Sequence, residues 1–325
     1  MAFLNAIEGA VAQGILWGLM TLGVYLTFRI LNVADMTVDG SFAAGGAVSA
    51  VLIVNGFNPV LSLFVSFVLG TVCGLCTGFM NTKLKINILL ASILSQLALY
   101  SVNIRIMGKP NTPLLGSSTM MKDLIWLFKE KLNINLSSTV SSLIIGIIVI
   151  LVVVAILYWF LGTEYGSAIR ATGSNENMVR AMGVNTDTTK IIGLMISNGM
   201  VAMSGALVAQ SQGFADVQMG TGAIVIGLAS IIIGEVIFGS HFGFWYTLVS
   251  VVLGSVIYRI VIAVVLQLGL KSSDLKLFTA LIVAVSLSVP VLKHGIDKRR
   301  NAYKGPYNEK NTRRSDDKFK HGIEG

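Results

Sequence analysis

Runs of apolar residues long enough to cross a bilayer recur along this chain, separated by short polar breaks. A hydrocarbon core of about 30 Å takes about 20 residues of α-helix. On that measure the pattern predicts about nine spans, with eight to ten as the admissible range. They lie at 9–30, 40–55, 58–80, 86–104, 138–161, 189–212, 221–238, 244–268 and 275–292. Backbone in hydrocarbon must satisfy its own hydrogen bonds, and a helix does so within one segment. The predicted fold class is therefore all-α: a polytopic membrane helix bundle over 1–292, followed by a polar tail over 293–325. The second span is short and rich in Gly and Ala, as in Phe42-Ala43-Ala44-Gly45-Gly46-Ala47. That composition suits a broken or deeply buried helix better than a lipid-facing one.

Composition supports the same solvent. Of 325 residues, 54% are hydrophobic and 12% charged, and the mean hydropathy is +0.77. Soluble domains are about 25% charged, and so few polar residues do not cover a soluble core of this size. A disordered chain and nearly every soluble enzyme are excluded. The net charge is +8, and the segment from Lys293 to Gly325, with ten Lys/Arg and five acids, holds five of those eight charges. A basic terminus beside a span reads as a topology signal and a contact for lipid headgroups, not as a nucleic-acid site. With that tail in the cytoplasm, nine spans place the N-terminus outside. Arg29, Lys83, Lys85, Arg170, Arg180 and Lys190 then fall on the cytoplasmic side, and Arg105, Lys109, Lys122, Lys129, Lys131 and Lys271 outside, with Lys276 at the boundary. The cytoplasmic excess agrees with the positive-inside rule. The first basic residue is Arg29, so no positively charged leader region opens the chain and no cleaved signal peptide is expected.

Small residues at four-residue spacing share one helix face and let backbones approach closely in lipid. Gly70, Gly74 and Gly78 do this in the third span, and Gly14 and Gly18 in the first. Cys73 and Cys76 have a spacing that would suggest metal or redox chemistry in a soluble protein. Here they sit in the same apolar run, with no second Cys pair or His cluster, and read as small helix residues. No metal site is predicted. Ionisable residues inside spans are costly and each calls for a role. Glu235 lies near the inner end of the seventh span and Arg259 mid-span in the eighth. One reading pairs the two. The other lets Glu235 reach the cytoplasmic interface while Arg259 faces a bundle interior or an aqueous cavity. Asn87, Gln96, Asn198, Gln210 and Gln212 either line a pathway or bridge helices. Asp39, ahead of Gly40-Ser41, reads as an N-cap of the second span, with a proton relay as the alternative.

Two connections are long. The outer one, about 103–137, contains Asp123-Leu124-Ile125-Trp126-Leu127-Phe128-Lys129-Glu130-Lys131-Leu132. Its aromatic residues and alternating charges suit a helix lying in the membrane interface, with a landing surface for an external protein as the functional alternative. The inner one, about 162–188, carries Ser174 as a candidate N-cap and Glu176 in the first turn that follows. Met178, Val179, Ala181 and Met182 form an apolar patch on a short helix that stops at Gly183. A partner protein or the membrane surface would cover that patch. No catalytic constellation is present: His241, His294 and His321 are scattered, and neither a G-x-x-x-x-G-K-[ST] phosphate loop nor a G-x-S-x-G elbow occurs.

The inner loop has the pattern Gly166-x-x-x-Arg170-Ala171 … Asn175 … Ala181-x-Gly183, followed by a span with Ala202-Met203-Ser204-Gly205-Ala206-Leu207. It resembles permease subunits of ABC importers in the branched-chain amino-acid and ribose permease superfamily. Leu31-Asn32-Val33-Ala34-Asp35-Met36-Thr37-Val38-Asp39-Gly40 fits as well, and so does Tyr258-Arg259-Ile260 … Gly269-Leu270-Lys271-Ser272-Ser273-Asp274. Together they resemble a subgroup associated with tryptophan/tyrosine-type uptake, over nearly the whole chain to about residue 292. The resemblance implies a multi-pass cell-membrane subunit with no cofactor and no catalysis of its own. ATP would be bound and hydrolysed by a separate ATPase subunit docked on the loop residues Gly166, Arg170, Ala171, Asn175, Met178, Ala181 and Gly183. It further implies an extracytoplasmic substrate-binding protein, a second permease copy forming the pathway, and a small solute such as an aromatic or branched-chain amino acid. The competing reading is an ion-coupled secondary transporter or channel that uses Glu235, Arg259 or Asp39 and needs no ATPase. No clear internal repeat favours it.

Overall fold

A computed structural model of the chain describes residues 2–132, 136–239 and 243–267, with single helical positions at 277, 279–281, 284 and 288. Most of the ninth predicted span and all of the 293–325 tail lie outside those residues. The chain opens with α1 (Ala2–Tyr25), which runs into a π-helical turn (Leu26–Ile30). Then come α2 (Thr37–Val54), α3 (Pro59–Thr82), α4 (Ile88–Met107), a short strand β1 (Asn111–Pro113) and α5 (Met120–Leu132). They are followed by α6 (Ser138–Gly162), α7 (Glu164–Ser174), α8 (Glu176–Ala181) and α9 (Thr186–Gln212). Strand β2 (Phe214–Asp216), α10 (Ala223–Phe238) and α11 (Phe244–Gln267) complete the described fold. β1 and β2 pair antiparallel, Thr112 opposite Ala215, as a small clasp at one end of the bundle. Helices α7 and α8 lie at the other end.

Seven described helices are long and apolar enough to cross a membrane: α1 with its π-turn, α2, α3, α4, α6, α9 and α11. The seventh predicted span, α10, is 16 residues long, about 24 Å of helix, and falls short of a full crossing. The all-α membrane bundle stands, and the count of nine is an approximation. Local chemistry sets many of the ends. Asn58, Asn87 and Ser137 cap α3, α4 and α6 by accepting from Val60 N, Leu89 N and Val140 N. Asn87 is thus a helix cap. Gly108 and Gly213 end α4 and α9 in the left-handed region.

The bundle has an inner and an outer layer. In α1, α2 and α9, 72–78% of the spanning residues are buried, against 22% in α4. The Gly/Ala-rich second span is therefore deeply buried, and it is an unbroken helix. Large apolar side chains such as Phe64, Leu151 and Trp159 point outward from α3 and α6. Lipid is as apolar as these groups, so association of the helices depends on close packing and interhelical hydrogen bonds. The glycines supply the first. A Cβ at Gly70 would collide with the Asn198 carbonyl, and one at Gly74 with the Leu194 carbonyl. At Gly78 it would meet Ile191 Cα at 3.1 Å. This glycine face of α3 therefore lies on α9. Gly14 and Gly18 are pressed in the same way against Val256 and Val252 of α11. Cys73 is buried in this packing and Cys76 is exposed; both are free thiols.

Outside the bundle, α5 is one-sided: Met121 is buried while Trp126 and Leu127 are exposed. It packs on α6.

Candidate functional site

Two regions concentrate polar chemistry, one in the middle of the bundle and one on the surface formed by α7 and α8. The first begins where the chain leaves the π-turn. Residues 31–36 are not helical, and non-helical backbone at this depth needs protein partners. Asp35 supplies them. Its Oδ1 accepts from Thr37 N at 2.9 Å and so caps α2, the role expected of Asp39. Its Oδ2 accepts from Asn198 Nδ2 at 2.7 Å. Asn198 also donates to Leu194 O at 3.0 Å and accepts from Ser41 Oγ at 2.7 Å. It is fully buried and fully engaged, so it bridges helices. Gly70, which faces it, sits midway along α3, so this cluster lies near the centre of the bundle. A hydroxyl chain from Thr37 through Thr77 to Ser95, with oxygens 2.8 and 2.6 Å apart, ties α2, α3 and α4 together. Gln210 plays the same bridging part nearer the clasp. It donates to Ser49 Oγ at 3.1 Å and to Ser62 Oγ at 3.2 Å.

Asp39 has a different task. Its carboxylate accepts from Gly222 N and Ile224 N, both at 2.9 Å. It caps α10, whose N-cap Gly222 has no side chain to do so. A carboxylate at a helix N-terminus also meets the positive end of the helix dipole. The correction to the expected self-cap has a physical cause. The segment 217–222 folds back along α2 from the clasp, with Met219 against Gly46 and Gly220 in contact with the Asp39 backbone. α10 therefore starts inside the bundle and not at a membrane face. Beside this junction is a cavity of about 150 Å³ lined by Asp39, Gln96, Tyr100, Asn103 and Thr221. Asn103 is 1% exposed and its Nδ2 donates to Gly40 O at 3.2 Å. Its buried Oδ1 has no hydrogen-bond partner among the described residues. Of these residues the sequence pattern singled out only Asp39 and Gln96. The available signal for the rest was the glycine-rich, non-helical 216–222 segment within an otherwise apolar region.

Glu235 and Arg259 do not pair. Glu235 forms a two-pronged bridge to Arg29 of the π-turn, at 2.6 and 2.8 Å. α10 and α11 are antiparallel, Gly234 packing on Ser250 and Gly254 on Ser230. Glu235 therefore lies toward the α7–α8 end, and Arg259 is displaced toward the clasp. The Arg259 guanidinium sits 4.0 Å over the Trp17 ring, a cation–π contact. Trp17 in turn packs on Phe42 with ring centroids 4.7 Å apart.

The surface region is built on α7 and α8. Thr163 caps α7, accepting from Gly166 N at 3.3 Å. Asn175, not Ser174, caps α8, accepting from Met178 N at 3.0 Å. Gly166 lies directly on the Phe160 carbonyl and Leu161, and Gly173 on the Ile30 carbonyl of the π-turn. Only the missing Cβ permits these approaches. The Ala171 carbonyl accepts from Asn175 N at 2.9 Å, joining the two helices. Arg170 stays exposed, donating to Ser167 Oγ at 3.3 Å and lying 5.8 Å from the Phe244 ring centre. α8 ends in a Schellman turn: Gly183 N donates to Arg180 O and Val184 N to Val179 O. Gly183 there has φ +86° with open space around its Cα.

Of the expected apolar patch, Val179 is buried. Met178 and Met182 are exposed, at 49% and 74%, and Ala181 is exposed beside them. Glu176 anchors α8 to the base of α9 through Lys190 Nζ at 2.6 Å, and within α8 it pairs with Arg180 Nη2 at 3.0 Å. Its carboxyl is held below the usual carboxylate range, first by the Lys190 hydrogen bond and, more weakly, by Thr186 and Arg180. Beside α8 is a polar depression of about 310 Å³ lined by Lys85, Arg180, Gly183, Val184 and Asp187, among others. Among the described residues no group of His, Cys, Asp and Glu has the arrangement of a metal site.

With both regions described, the comparisons with known proteins decide the family. The family model "Branched-chain amino acid transport system / permease component" matches residues 6–287. The chain belongs to this family. It is a multi-pass membrane permease component of a transport system. A tyrosine transport system permease protein of Clostridioides difficile (strain R20291) is 36% identical over 91% of this chain and 95% of its own length. An uncharacterized protein of Rickettsia prowazekii (strain Madrid E) is 33% identical over 88% of this chain and 98% of its own. The autoinducer 2 import system permease protein LsrC of Photorhabdus laumondii is 28% identical over 60% of this chain and 55% of its own.

Proposed function

We propose that this permease is the membrane subunit of an ATP-driven ABC importer for an amino acid, aromatic or branched-chain. In this reading two copies form the pathway, and an extracytoplasmic binding protein delivers the solute at the clasp end. The α7–α8 end faces the cytoplasm, and ATP is bound and hydrolysed by a separate subunit docked there. The kinship with a tyrosine permease supports the solute class, and the family supports the architecture.

The observation that carries the reading is a continuous set of contacts from the α8 surface to the centre of the bundle. Met178, Met182 and Val184 offer an exposed apolar face next to a polar depression. Glu176 fastens that face to α9 through Lys190. Gly173 presses α7 on the π-turn, Arg29 of that turn holds the end of α10 through Glu235, and Asp39 holds the start of α10. A displacement of α7 and α8 by a docked ATPase therefore bears on both ends of α10. Coupling requires that the ATPase contacts differ between two states of the bundle, and α10, too short to cross, is the element placed to move.

The test is affinity purification from native membranes in mild detergent, with co-purifying subunits identified and ATP hydrolysis measured. A stoichiometric ATPase, lost on Gly183→Arg while the permease stays folded, is the expected result. Retained ATPase binding by the folded variant would reject the loop assignment. A clean preparation with no ATPase, in detergent that keeps multisubunit transporters intact, would favour the ion-coupled transporter instead.

A further inference from the structure

We propose that the cavity between α2, α4 and the 217–222 segment is a recognition subsite for the ammonium group of the transported solute. This rests on the reading of the chain as a solute permease.

The lining is one of acceptors. Asp39 carries the formal charge, and each of its oxygens spends one contact on a backbone N–H of the α10 terminus. An ionised carboxylate has about four acceptor sites, so further acceptor capacity remains. Asn103 Oδ1 is buried without a partner. A buried acceptor left unmade costs about 1–3 kcal/mol, so a donor that reaches Asn103 Oδ1 would be favoured. Gln96, Tyr100 and Thr221 add adaptable groups, and no lysine or arginine lines the space. The α10 N–H groups at 222 and 224, the nearest attraction for an anion, are already taken by Asp39. An ammonium group, with three donors and a positive charge, answers this lining and a carboxylate does not.

The space, about 150 Å³, accommodates an ammonium head group. The remainder of the solute would lie over Tyr100, which is 47% exposed at the mouth beside Leu97 at 65%.

The experiment uses the full chain in its complex, reconstituted in proteoliposomes. Cys73 and Cys76 are replaced by alanine and Leu97→Cys places a thiol at the mouth. Labelling is timed with two methanethiosulfonates, one ending in trimethylammonium and one in sulfonate, each normalised to its rate on a small free thiol. A site of this charge labels with the cationic reagent at least about tenfold faster, within the range that local fields give. Methylammonium and L-tyrosine slow the labelling, and 3-(4-hydroxyphenyl)propanoate, which lacks the amine, does not. Asn103→Leu and Gln96→Leu weaken the protection, and Asn103→Asp preserves it. Because Asp39→Asn also disturbs the α10 cap, the Asn103 and Gln96 variants decide the matter.

Charge-blind labelling, or equal protection by the deaminated compound, would overturn the subsite and show a cavity filled by water alone. Such a result leaves the importer reading standing if the same vesicles accumulate L-tyrosine with ATP. Protection by methylammonium without protection or uptake of L-tyrosine would sustain the subsite and reject tyrosine as its solute.

Discussion

Asp35 and Glu176 are both carboxylates that fasten one helix to another, and they do it by opposite means. Asp35, 1% exposed, takes a backbone N–H and a side-chain amide, with no ion pair among the described residues. Glu176 takes two cations and a threonine hydroxyl at the surface. The contrast follows from the medium. In the bundle centre a neutral, fixed donor avoids the desolvation of a second charge. At the surface water screens the charges, and each pair is worth only about 0–1 kcal/mol. The centre is thus held by contacts that are costly to break. The α8 surface is held by contacts that exchange readily, as a docking surface requires.

The first way to break this comparison is Asp35→Leu. It strands the Asn198 amide and the Thr37 N–H in a dry site and is expected to cost about 2–5 kcal/mol. The check is a thermal unfolding midpoint in detergent, and Asp35→Asn, which keeps an acceptor, should lose about half as much. A loss below about 0.5 kcal/mol for the leucine variant would mean that water reaches the centre. Next is Gly74→Leu, which drives a side chain into the Leu194 carbonyl. Overpacking of this kind costs about 1–3 kcal/mol, and it should separate α3 from α9, readable as a lost disulfide crosslink between cysteines placed on the two helices.

Gly183→Arg should cost only about 1–2 kcal/mol, because φ +86° is unfavourable for a residue with a Cβ while space is open. Gly183→Ala carries the same strain without the bulk. If both lose the ATPase equally, backbone strain and not an occluded surface is the cause.

The smallest effect belongs to Glu176→Gln, below about 1 kcal/mol and reduced further by salt. Its pH dependence has a definite sign. The carboxyl of Glu176 is lowered in the folded protein. Its contribution is therefore complete above the ordinary glutamate value of about 4.3 and is lost as the pH falls through the depressed folded value. A fluorophore on Met182→Cys should report α8 loosening only in acid, and Glu176→Gln should remove that transition. Loosening near neutral pH would contradict the Lys190 pairing.

Much of the fold was legible because it is local. Apolar runs of spanning length and Gly183 as a helix stop are written within a few neighbouring residues, whereas Asn87, read as a pathway or bridging residue, is a helix cap in the structure. The glycine spacing of α3 marked a packing face without naming its partner. The site was less legible. Asn198 and Gln96 look alike in sequence, as polar residues in apolar runs. One is spent on Asp35 and Ser41, and the other lines a cavity. Asp35 and Asn103 were passed over, since nothing local distinguishes a carboxylate that caps from one that floats.

The sequence by itself determined an all-α membrane chain, the order of its helices and the exposed loop helix, because hydrophobic length and end-capping act over one or two turns. Only the tertiary structure decided that Asp39 caps a helix 183 residues away and that Glu235 belongs to Arg29, 206 residues distant. Those pairings depend on the depth at which α10 begins and on which face of α2 it meets. Depth and facing are set by close packing between helices in a solvent that gives no hydrophobic guidance.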